Sequence, residues 1–314
     1  MLSYVLRRLA QAIPVLILAS IAVFLILRLI PGDPADTIAG ENATPEEVEV
    51  IRERLGLTDP VPVQYVRWIG DMLQGDLGTS IRTGVPVSEL LQLALPPTLE
   101  LAAASYVIAL VIGIPLGTIA GVRPRSVWDW GLSFYTIGTL GVPNFLLGVL
   151  LLWFFSVNLG WFPASGRVSF LSDPIGSLEY LFLPSLALGT GLAAVLARYT
   201  RTTVQQAMGQ DYIRTARAKG LSSSAIVIRH ALRNSMIPII TIVALQVGNI
   251  MAGAVVIERV FTRPGLGRLV VDAIQNRDYL IVQSTLIILV VIFVAMNLLA
   301  DLAYGFLDPR VRRS

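Results

Sequence analysis

The sequence predicts an all-α membrane protein that crosses the bilayer several times, because apolar residues dominate its composition and form six long segments. Hydrophobic residues make up 54% of the 314 residues and charged residues 14%, whereas a soluble domain carries about 25% charged residues. A helix needs about 20 apolar residues to cross a hydrocarbon core. A membrane barrel would instead show short strands of alternating polarity. Six segments without an internal charge predict six spanning helices: Leu9–Leu27, Leu101–Val122, Trp130–Val157, Tyr180–Ala197, Ser235–Ile257 and Leu280–Ala300.

Two of these segments have unusual features. The third is longer than one crossing requires, so we expect it to be tilted or to extend outside the bilayer, and Gly141-Val142-Pro143-Asn144 interrupts it. The fifth is unusually polar because it contains Gln246 and Asn249. Amides facing lipid are costly, so Asn144, Gln246 and Asn249 are expected to face protein or a cavity. Packing between helices is the favoured interpretation, and contact with a transported solute stays open.

The charge distribution predicts an orientation. The segment from Pro31 to Leu95 has eleven acidic residues and four arginines. Basic residues concentrate in four regions that share the other side of the membrane if there are six crossings, and the positive-inside rule places both termini in the cytoplasm. The first apolar run is too long for the core of a signal peptide and precedes no small-residue cleavage site, so a retained anchor is expected. The basic regions contain Arg7 and Arg8, Arg123 and Arg125, the loop from Arg198 to Met236, and Arg310, Arg312 and Arg313.

Four parts of the chain follow from this pattern. Residues 1–30 form the N-terminus and first spanning helix, 31–96 a helical extracytoplasmic insertion, 97–305 the transmembrane core with a loop at 200–236, and 306–314 a cytoplasmic tail. In the insertion, Thr44-Pro45-Glu46-Glu47 predicts a capped helix that stops near Gly56. A second helix is predicted from about Pro62 to Gly75, with Tyr65, Trp68, Ile69 and Leu73 on an apolar face. The insertion is either a lid packed on the membrane core or a platform for an extracytoplasmic partner.

The sequence excludes several kinds of chemistry. It has no cysteine and one histidine, His230, which excludes thiol catalysis and the two-histidine zinc motif. Its single lysine lies in Ala218-Lys219-Gly220 and not in a Walker A motif. Without an acid or base inside the six segments, a proton- or ion-coupled carrier is disfavoured.

The stretch from Asp211 to Leu221 is the most informative part of the chain. It lies between two apolar runs and combines basic residues with small ones, so another protein could approach its backbone closely. Ser222 can cap a second helix that leads towards Asn234. The loop is therefore either a docking element or a basic helix pair held by lipid headgroups.

The residues of this loop resemble those of a known family. Asp211-Tyr212-Ile213-Arg214-Thr215-Ala216-Arg217-Ala218-Lys219-Gly220-Leu221, followed by Arg229-His230-Ala231-Leu232-Arg233-Asn234 and Ile237-Pro238, resembles the EAA loop of bacterial ABC importer permeases. The dipeptide/oligopeptide branch is most similar. Arg217 and Lys219 surround alanine where the general family has Glu-Ala-Ala. Three further stretches are similar to the first subunit type of that branch: Arg7-Arg8-Leu9 with Leu29-Ile30-Pro31-Gly32-Asp33-Pro34, Gly253-Ala254-Val255-Val256-Ile257-Glu258 with Phe261 and Pro264-Gly265-Leu266-Gly267, and Leu307-Asp308-Pro309-Arg310.

The resemblance implies a type I ABC importer permease fold and a function in peptide import. The chain would form half of a pore that works by alternating access, without catalysis or a cofactor of its own. It implies four partners: a homologous second permease, two cytosolic ATPases that bind ATP and Mg, and an extracytoplasmic substrate-binding protein. No nucleic acid is involved, and the expected location is a bacterial cytoplasmic membrane. Nickel chelates, glutathione or sugars remain possible substrates, and an ATPase-independent secondary transporter or channel is the alternative. The residues implied in ATPase coupling are Asp211, Arg214, Ala216, Lys219, Gly220 and Leu221.

Overall fold

A computed structural model of the protein describes residues 2–29, 35, 39, 43–54 and 56–307. The predicted motif at 30–34 and the tail from residue 308 lie outside the described residues. The described part is helical and contains one isolated β-bridge, between Thr79 and Pro86. Its helices are α1 (Leu2–Leu29), α2 (Pro45–Arg54), α3 (Val61–Leu73), α4 (Val87–Val122), α5 (Val127–Gly141), α6 (Asn144–Asn158), α7 (Pro174–Met208), α8 (Asp211–Ala218), α9 (Ser223–Leu245), α10 (Val247–Val260), α11 (Leu266–Gln275) and α12 (Tyr279–Leu307).

The helix lengths confirm a polytopic membrane fold. α1, α4, α7, α9 and α12 are long and apolar enough to cross a membrane, and the bent pair α5–α6 makes six crossings if it is counted as one span. α4 has 36 residues, or about 54 Å of helix, so it extends well beyond a hydrocarbon core of about 30 Å. It also runs through Pro96, so no break in secondary structure marks the predicted boundary between insertion and core, and that division stays a prediction.

The third crossing is broken at the position where the sequence predicts an interruption. α5 and α6 meet at an angle of 97°. Val142 and Pro143 are extended between them, with ψ of 121° and 140°, because a proline disfavours a helical conformation in the residue before it. The predicted long third segment is therefore two helices and not one tilted helix.

The fifth crossing differs from its prediction in a milder way. The predicted segment Ser235–Ile257 is divided between α9 and α10 at Gln246. The backbone N–H of Gln246 still donates to the carbonyl of Ile242, and its carbonyl accepts from Ile250. Helical hydrogen bonds therefore continue across the division, and α9 also extends back to Ser223, well before the predicted start.

A row of glycines allows α4 and α7 to pack closely along their length. A Cβ atom at Gly113 would lie 2.8 Å from the carbonyl oxygen of Ala193, and Gly117 faces the carbonyl of Ala197 even more closely. Gly121 continues the row. Small residues at this spacing let helix backbones approach in a membrane. Since residue numbers rise together on both helices, α4 and α7 run parallel and form the centre of the bundle.

The two ends of the bundle can be defined from these helices. We call the end that carries α2, α3 and α11 the acidic end, after the acidic residues of the insertion. The end that carries α8 is the basic end. There, Arg201 of α7 forms an ion pair of 2.6 Å with Asp129 at the start of α5, which joins the loop after α4 to α7.

The insertion forms the two helices that the sequence predicts. The Thr44 N–H donates to the carboxylate of Glu47 (2.8 Å) and the Thr44 hydroxyl accepts from the Glu47 N–H (3.3 Å), as in a capping box. Chain reversal after α2 uses Gly56, whose φ is +65°. α3 contacts α1 through Tyr65 and Trp68, whose rings pack on Phe24.

Candidate coupling surface, polar cavity and buried carboxylate

The short helix α8 has a defined start and end. Asp211 lies in its first turn, where a negative charge favours the helix dipole. At its end, the Gly220 N–H donates to the carbonyl of Arg217 and the Leu221 N–H donates to the carbonyl of Ala216. Gly220 has a φ of +76°. This is a Schellman ending, which requires a left-handed residue and so favours glycine.

Two residues hold α8 against the rest of the chain. Ile213 and Ala216 are buried in a cluster with Ala207 of α7 and with Ile226 and Ala231 of α9. Ala216 therefore faces inward, and its small side chain allows α8 to approach α7 and α9. The family resemblance implies that Ala216 takes part in ATPase coupling, and its buried position supports a role in fixing the helix.

The remaining predicted coupling residues lie on the exposed side. Asp211, Arg214, Lys219, Gly220 and Leu221 are all exposed. Asp211 and Arg214 form a surface ion pair of 3.3 Å, while Lys219 makes no ion pair within the described part of the chain. The exposed surface of α8 and its ending is thus basic, and its backbone is accessible around Gly220.

The second helix of the loop begins as predicted and leads directly into the membrane. The Ser222 hydroxyl accepts from the Ala225 N–H (3.3 Å) and caps α9. Residues 226–232 adopt a π-helical geometry before the α-helix resumes at Arg233. A movement of α8 would therefore reach the fifth crossing through a continuous helix. A cavity of about 870 Å³ at this helix is lined by Ile228, Arg229, His230, Leu232, Arg233, Asn234 and Met236.

The three predicted pathway residues line a single cavity. It has a volume of about 450 Å³ and lies where both crossings are interrupted, at the α5–α6 bend and at Gln246. Asn144, Gln246 and Asn249 supply amide groups, and the Asn249 amide donates to the Gln246 side chain (2.7 Å). The other lining residues are Thr139, Leu140, Val142, Pro143, Leu188, Gly191, Leu192, Val195, Ile250 and Gly253.

Asn144 is positioned by two glycines on neighbouring helices. A Cβ at Gly191 would lie 3.0 Å from the Asn144 Oδ1, and a Cβ at Gly253 would lie 3.7 Å from its Nδ2. The Asn144 side chain makes no hydrogen bond to the residues that the structure describes. Its amide is therefore available to a molecule in the cavity. Packing between helices alone does not explain an amide that has no hydrogen-bond partner among these residues.

At the acidic end, Glu258 is a buried carboxylate to which the sequence alone assigns no partner. It is fully buried and accepts hydrogen bonds from the Thr98 hydroxyl (2.5 Å) and from the backbone N–H groups of Gly267 (2.8 Å) and Arg268 (3.1 Å). Two of these donors belong to the first turn of α11, where an anion stabilises the helix. Glu258 thus fastens α11 to α10 and α4.

A second charged group lies beside it. The fully buried Arg263 donates to Glu100 of α4 (2.9 Å), which also pairs with Arg167 from the loop before α7 (2.6 Å). Burial lowers the pKa of the Arg263 guanidinium, and the neighbouring Glu100 carboxylate opposes this shift. Together these residues join four separate segments at the acidic end.

Two sequence signals for these features were present but not recognised. The glycine row in α4 has the four-residue spacing that indicates helix packing. After Glu258, the sequence Pro264-Gly265-Leu266-Gly267 places glycines where a carboxylate must approach the backbone. A Cβ at Gly267 would lie 2.9 Å from the Glu258 Oε2. Gly265 and Gly267 therefore indicate that a side chain approaches the backbone closely, in addition to a turn.

The spanning helices, the polar cavity at two helix interruptions and the exposed basic helix define a polytopic membrane transport protein. Comparison with known proteins identifies the family. The model of the binding-protein-dependent transport system inner membrane component matches residues 113–313, and the model of its N-terminal part matches residues 1–102. The chain therefore belongs to this family of permease components. Permease components are non-catalytic, as predicted, and an ATPase-independent carrier or channel is not supported.

Curated relatives match over almost the whole chain. The oligopeptide transport system permease protein AppB of Bacillus subtilis is 42% identical over 314 residues, covering 99% of both chains. The probable peptide ABC transporter permease protein y4tP of Sinorhizobium fredii is 42% identical over 98% of this chain and 99% of its own. The glutathione transport system permease protein GsiC of Salmonella paratyphi A is 42% identical, with 99% coverage of both. These similarities confirm the resemblance to the dipeptide/oligopeptide branch.

The fold is also found in a solved structure. The MetNI methionine ABC transporter in an inward-facing conformation is similar with a TM-score of 0.56 and 18% identity, covering 70% of this chain and 97% of that one. At this identity the similarity establishes the fold alone, and it confirms the predicted type I importer permease architecture.

Proposed function

We propose that this permease subunit carries peptides across a bacterial cytoplasmic membrane, driven by ATP hydrolysis in two partner ATPases. A second, homologous permease completes the pore, and an extracytoplasmic binding protein delivers the substrate. The relatives named above act on oligopeptides, peptides and glutathione, which share amide groups along a flexible chain. ATP and Mg belong to the ATPases, and this chain supplies no cofactor site of its own.

The basic end is the cytoplasmic end in this proposal. The loop with α8, the loop with Arg123 and Arg125 and the start of α1 lie at that end, opposite the acidic insertion. An excess of arginine and lysine marks the cytoplasmic side of membrane proteins. Both termini and α8 would then face the ATPases, and the insertion would face the binding protein.

The observation that carries the coupling proposal is the two-sided nature of α8. One side is fixed to α7 and α9 through Ile213 and Ala216, while the other side leaves Arg214, Lys219 and the Gly220 backbone exposed. A helix held in this way can transmit a push without being deformed. We place the ATPase contact on Asp211, Arg214, Lys219, Gly220 and Leu221, and give Ala216 the role of anchoring the helix.

The polar cavity is the proposed part of the pathway in this chain. Asparagine and glutamine side chains both donate and accept hydrogen bonds, as peptide groups do. Asn144, Gln246 and Asn249 would therefore accompany peptides of varied sequence by contacting their backbone. Closure of the ATPases would move α9 and α10 relative to the α5–α6 bend and so change access to the cavity.

Replacing Gly220 tests the coupling role. Gly220→Val should abolish most transport, since a left-handed conformation costs an ordinary residue about 1–2 kcal/mol and a β-branched one more. A Cβ at Gly220 would meet no atom within 4 Å, so the effect comes from the turn and not from a clash. The measurements are substrate uptake and stimulation of ATP hydrolysis by the loaded binding protein.

Gly220→Asn is the matched control, because asparagine tolerates the left-handed region. It should retain most activity, and both variants should reach the membrane in normal amounts. If Gly220→Val transports normally and its ATPase responds normally to the binding protein, the coupling role is excluded.

A further inference from the structure

Helix α3 has three distinct sides. One side contacts α1, a second is polar, and a third is apolar but uncovered in the chain. The polar side carries Arg67, Asp71 and Gln74, and Arg67 forms an ion pair of 2.7 Å with Asp59. On the uncovered side, Val66 is 68% exposed and Leu73 is 83% exposed, with Val63 also exposed.

Among the described residues, the hydrogen bonds and ring contacts between α3 and α1 come from about one turn of α3, Gln64 to Trp68. Tyr65 shares a hydrogen bond with Ser20 (2.8 Å) and packs on Phe24, as does Trp68. Arg28 donates to Gln64. Contact through one turn means that α3 crosses α1 and does not run beside it.

The crossing point lies where α1 leaves the hydrocarbon core. The apolar window of α1 covers Leu6–Ile26, and the residues that α3 contacts extend from Ser20 to Arg28. The Arg28 guanidinium lies 4.6 Å from the centre of the Phe24 ring. An arginine at such a level keeps its apolar stem in the hydrocarbon region and its charged group in water. Tyrosine and tryptophan, as in Tyr65 and Trp68, are enriched at the same depth in membrane proteins.

We propose that α3 is an interfacial helix whose uncovered side (Val63, Val66 and Leu73) is immersed in the lipid of the leaflet into which α1 emerges. On α1, Leu25 and Ile26 lie within the stretch that α3 contacts and are themselves apolar and exposed. A helix with one charged edge and one apolar edge lies in the plane of the interface, with the charged edge in water. The insertion is then neither a free lid nor a detached platform, because α3 supports it on the membrane surface.

The absence of cysteine makes a direct test possible. Single cysteines are introduced as Val66→Cys and Leu73→Cys on the uncovered side, with Asp71→Cys on the polar side as the matched control. Each is labelled with a small environment-sensitive fluorophore, and the complete transporter is reconstituted in liposomes. Quenching is measured with a spin label on the lipid chains near the headgroups and with iodide in the water.

The expected result is a clear separation of the two sides. Probes at positions 66 and 73 should show blue-shifted emission, strong quenching by the lipid spin label and several-fold weaker quenching by iodide than the probe at position 71. Equal iodide quenching at all three positions would place the uncovered side in water and overturn the proposal. Protection of positions 66 and 73 from both quenchers would assign this side to a protein partner and would equally overturn it. The readout does not depend on transport, so it is separate from the function proposed above.

Discussion

At the acidic end of the bundle, Glu258 and Arg263 are buried and bonded to other parts of the chain, whereas the charged residues of α8 at the basic end are exposed. Glu258 accepts three hydrogen bonds in the interior, and Arg263 reaches Glu100 without any exposed surface. Arg217 at the end of α8 and Lys219 just after it are exposed to solvent. Both ends therefore use charge, but Glu258 and Arg263 hold separate segments together, whereas the exposed charges of α8 contribute little to the fold.

This difference separates stability from function. A buried charge that loses its partner is expensive, while an exposed charge contributes little to stability. Substitutions of the buried Glu258 or Arg263 should therefore destabilise the protein, and substitutions of the exposed charges of α8 should leave it folded but unable to work. The following experiments test that separation, from the largest expected effect to the smallest.

The largest effect is expected for Glu258→Ala. Removal of this carboxylate leaves the Thr98 hydroxyl and two N–H groups of α11 without their acceptor. Each buried donor that is left without its acceptor costs about 1–3 kcal/mol. The thermal unfolding temperature of the purified complex should fall strongly, and the amount of protein in the membrane should fall with it.

The neighbouring Arg259 provides the control. Its ion pair with Asp272, at 2.5 Å, is on the surface, and such pairs contribute about 1 kcal/mol or less. Arg259→Ala should barely change the unfolding temperature. Similar falls in unfolding temperature for Glu258→Ala and Arg259→Ala would contradict the prediction, because burial would then not decide how much a charged residue stabilises the acidic end.

An intermediate effect, on transport alone, is expected for charge reversal on α8. Arg217→Glu and Lys219→Glu alter exposed side chains, so the free energy of unfolding should change by about 0.5 kcal/mol or less. A reversed charge at a docking surface should still lower coupled transport by roughly tenfold, which corresponds to about 1.4 kcal/mol. Uptake and unfolding temperature are measured on the same preparation.

Arg217→Lys keeps the charge and should behave like the unchanged protein. An unfolding temperature that drops as far in Lys219→Glu as in Glu258→Ala would show that the basic end is also part of the stabilising core. Unchanged uptake in both reversed variants would remove Lys219 from the ATPase contact and would show that the basic charge of α8 is not needed there.

The smallest effect is expected in the cavity. Asn144→Leu replaces the amide group by an apolar side chain of similar size. A single hydrogen bond contributes about 1 kcal/mol. Peptide uptake should fall about fivefold, with no change in substrate affinity of the separate binding protein. Asn297→Leu is the control, since the Asn297 amide bonds within α12 to Phe293 and does not line the cavity. Equal effects of the two changes would favour packing over substrate contact.

Features governed by local sequence were predictable. The apolar segments indicate the crossings, Pro143 indicates the bend, and Thr44 with Glu47 indicates the capped start of α2. The Gly220 turn and the Ser222 cap are also local. Each depends on residues within a few positions of one another, so a single sequence carries the information.

Features governed by distant partners were not predictable in the same way. The predicted second segment begins after Glu100, yet α4 begins at Val87, and Glu100 is paired with Arg167 and Arg263, 67 and 163 positions away. Glu258 resembles a surface acid until α11 folds over it. The inward position of Ala216 depends on which side of α8 meets α7 and α9, and the sequence of an eight-residue helix leaves that open.

The central claim is that the basic end of this chain is seated against an ATPase, and Lys219 offers the most direct measurement. It is the only lysine in the chain, so an amine-reactive cross-linker applied to the assembled transporter can attach to no other lysine side chain of this subunit. Mass spectrometry should find Lys219 joined to an ATPase subunit, and Lys219→Arg should abolish that product while preserving uptake. Cross-links from Lys219 to the binding protein, or no link to the ATPase in an active complex, would contradict the account.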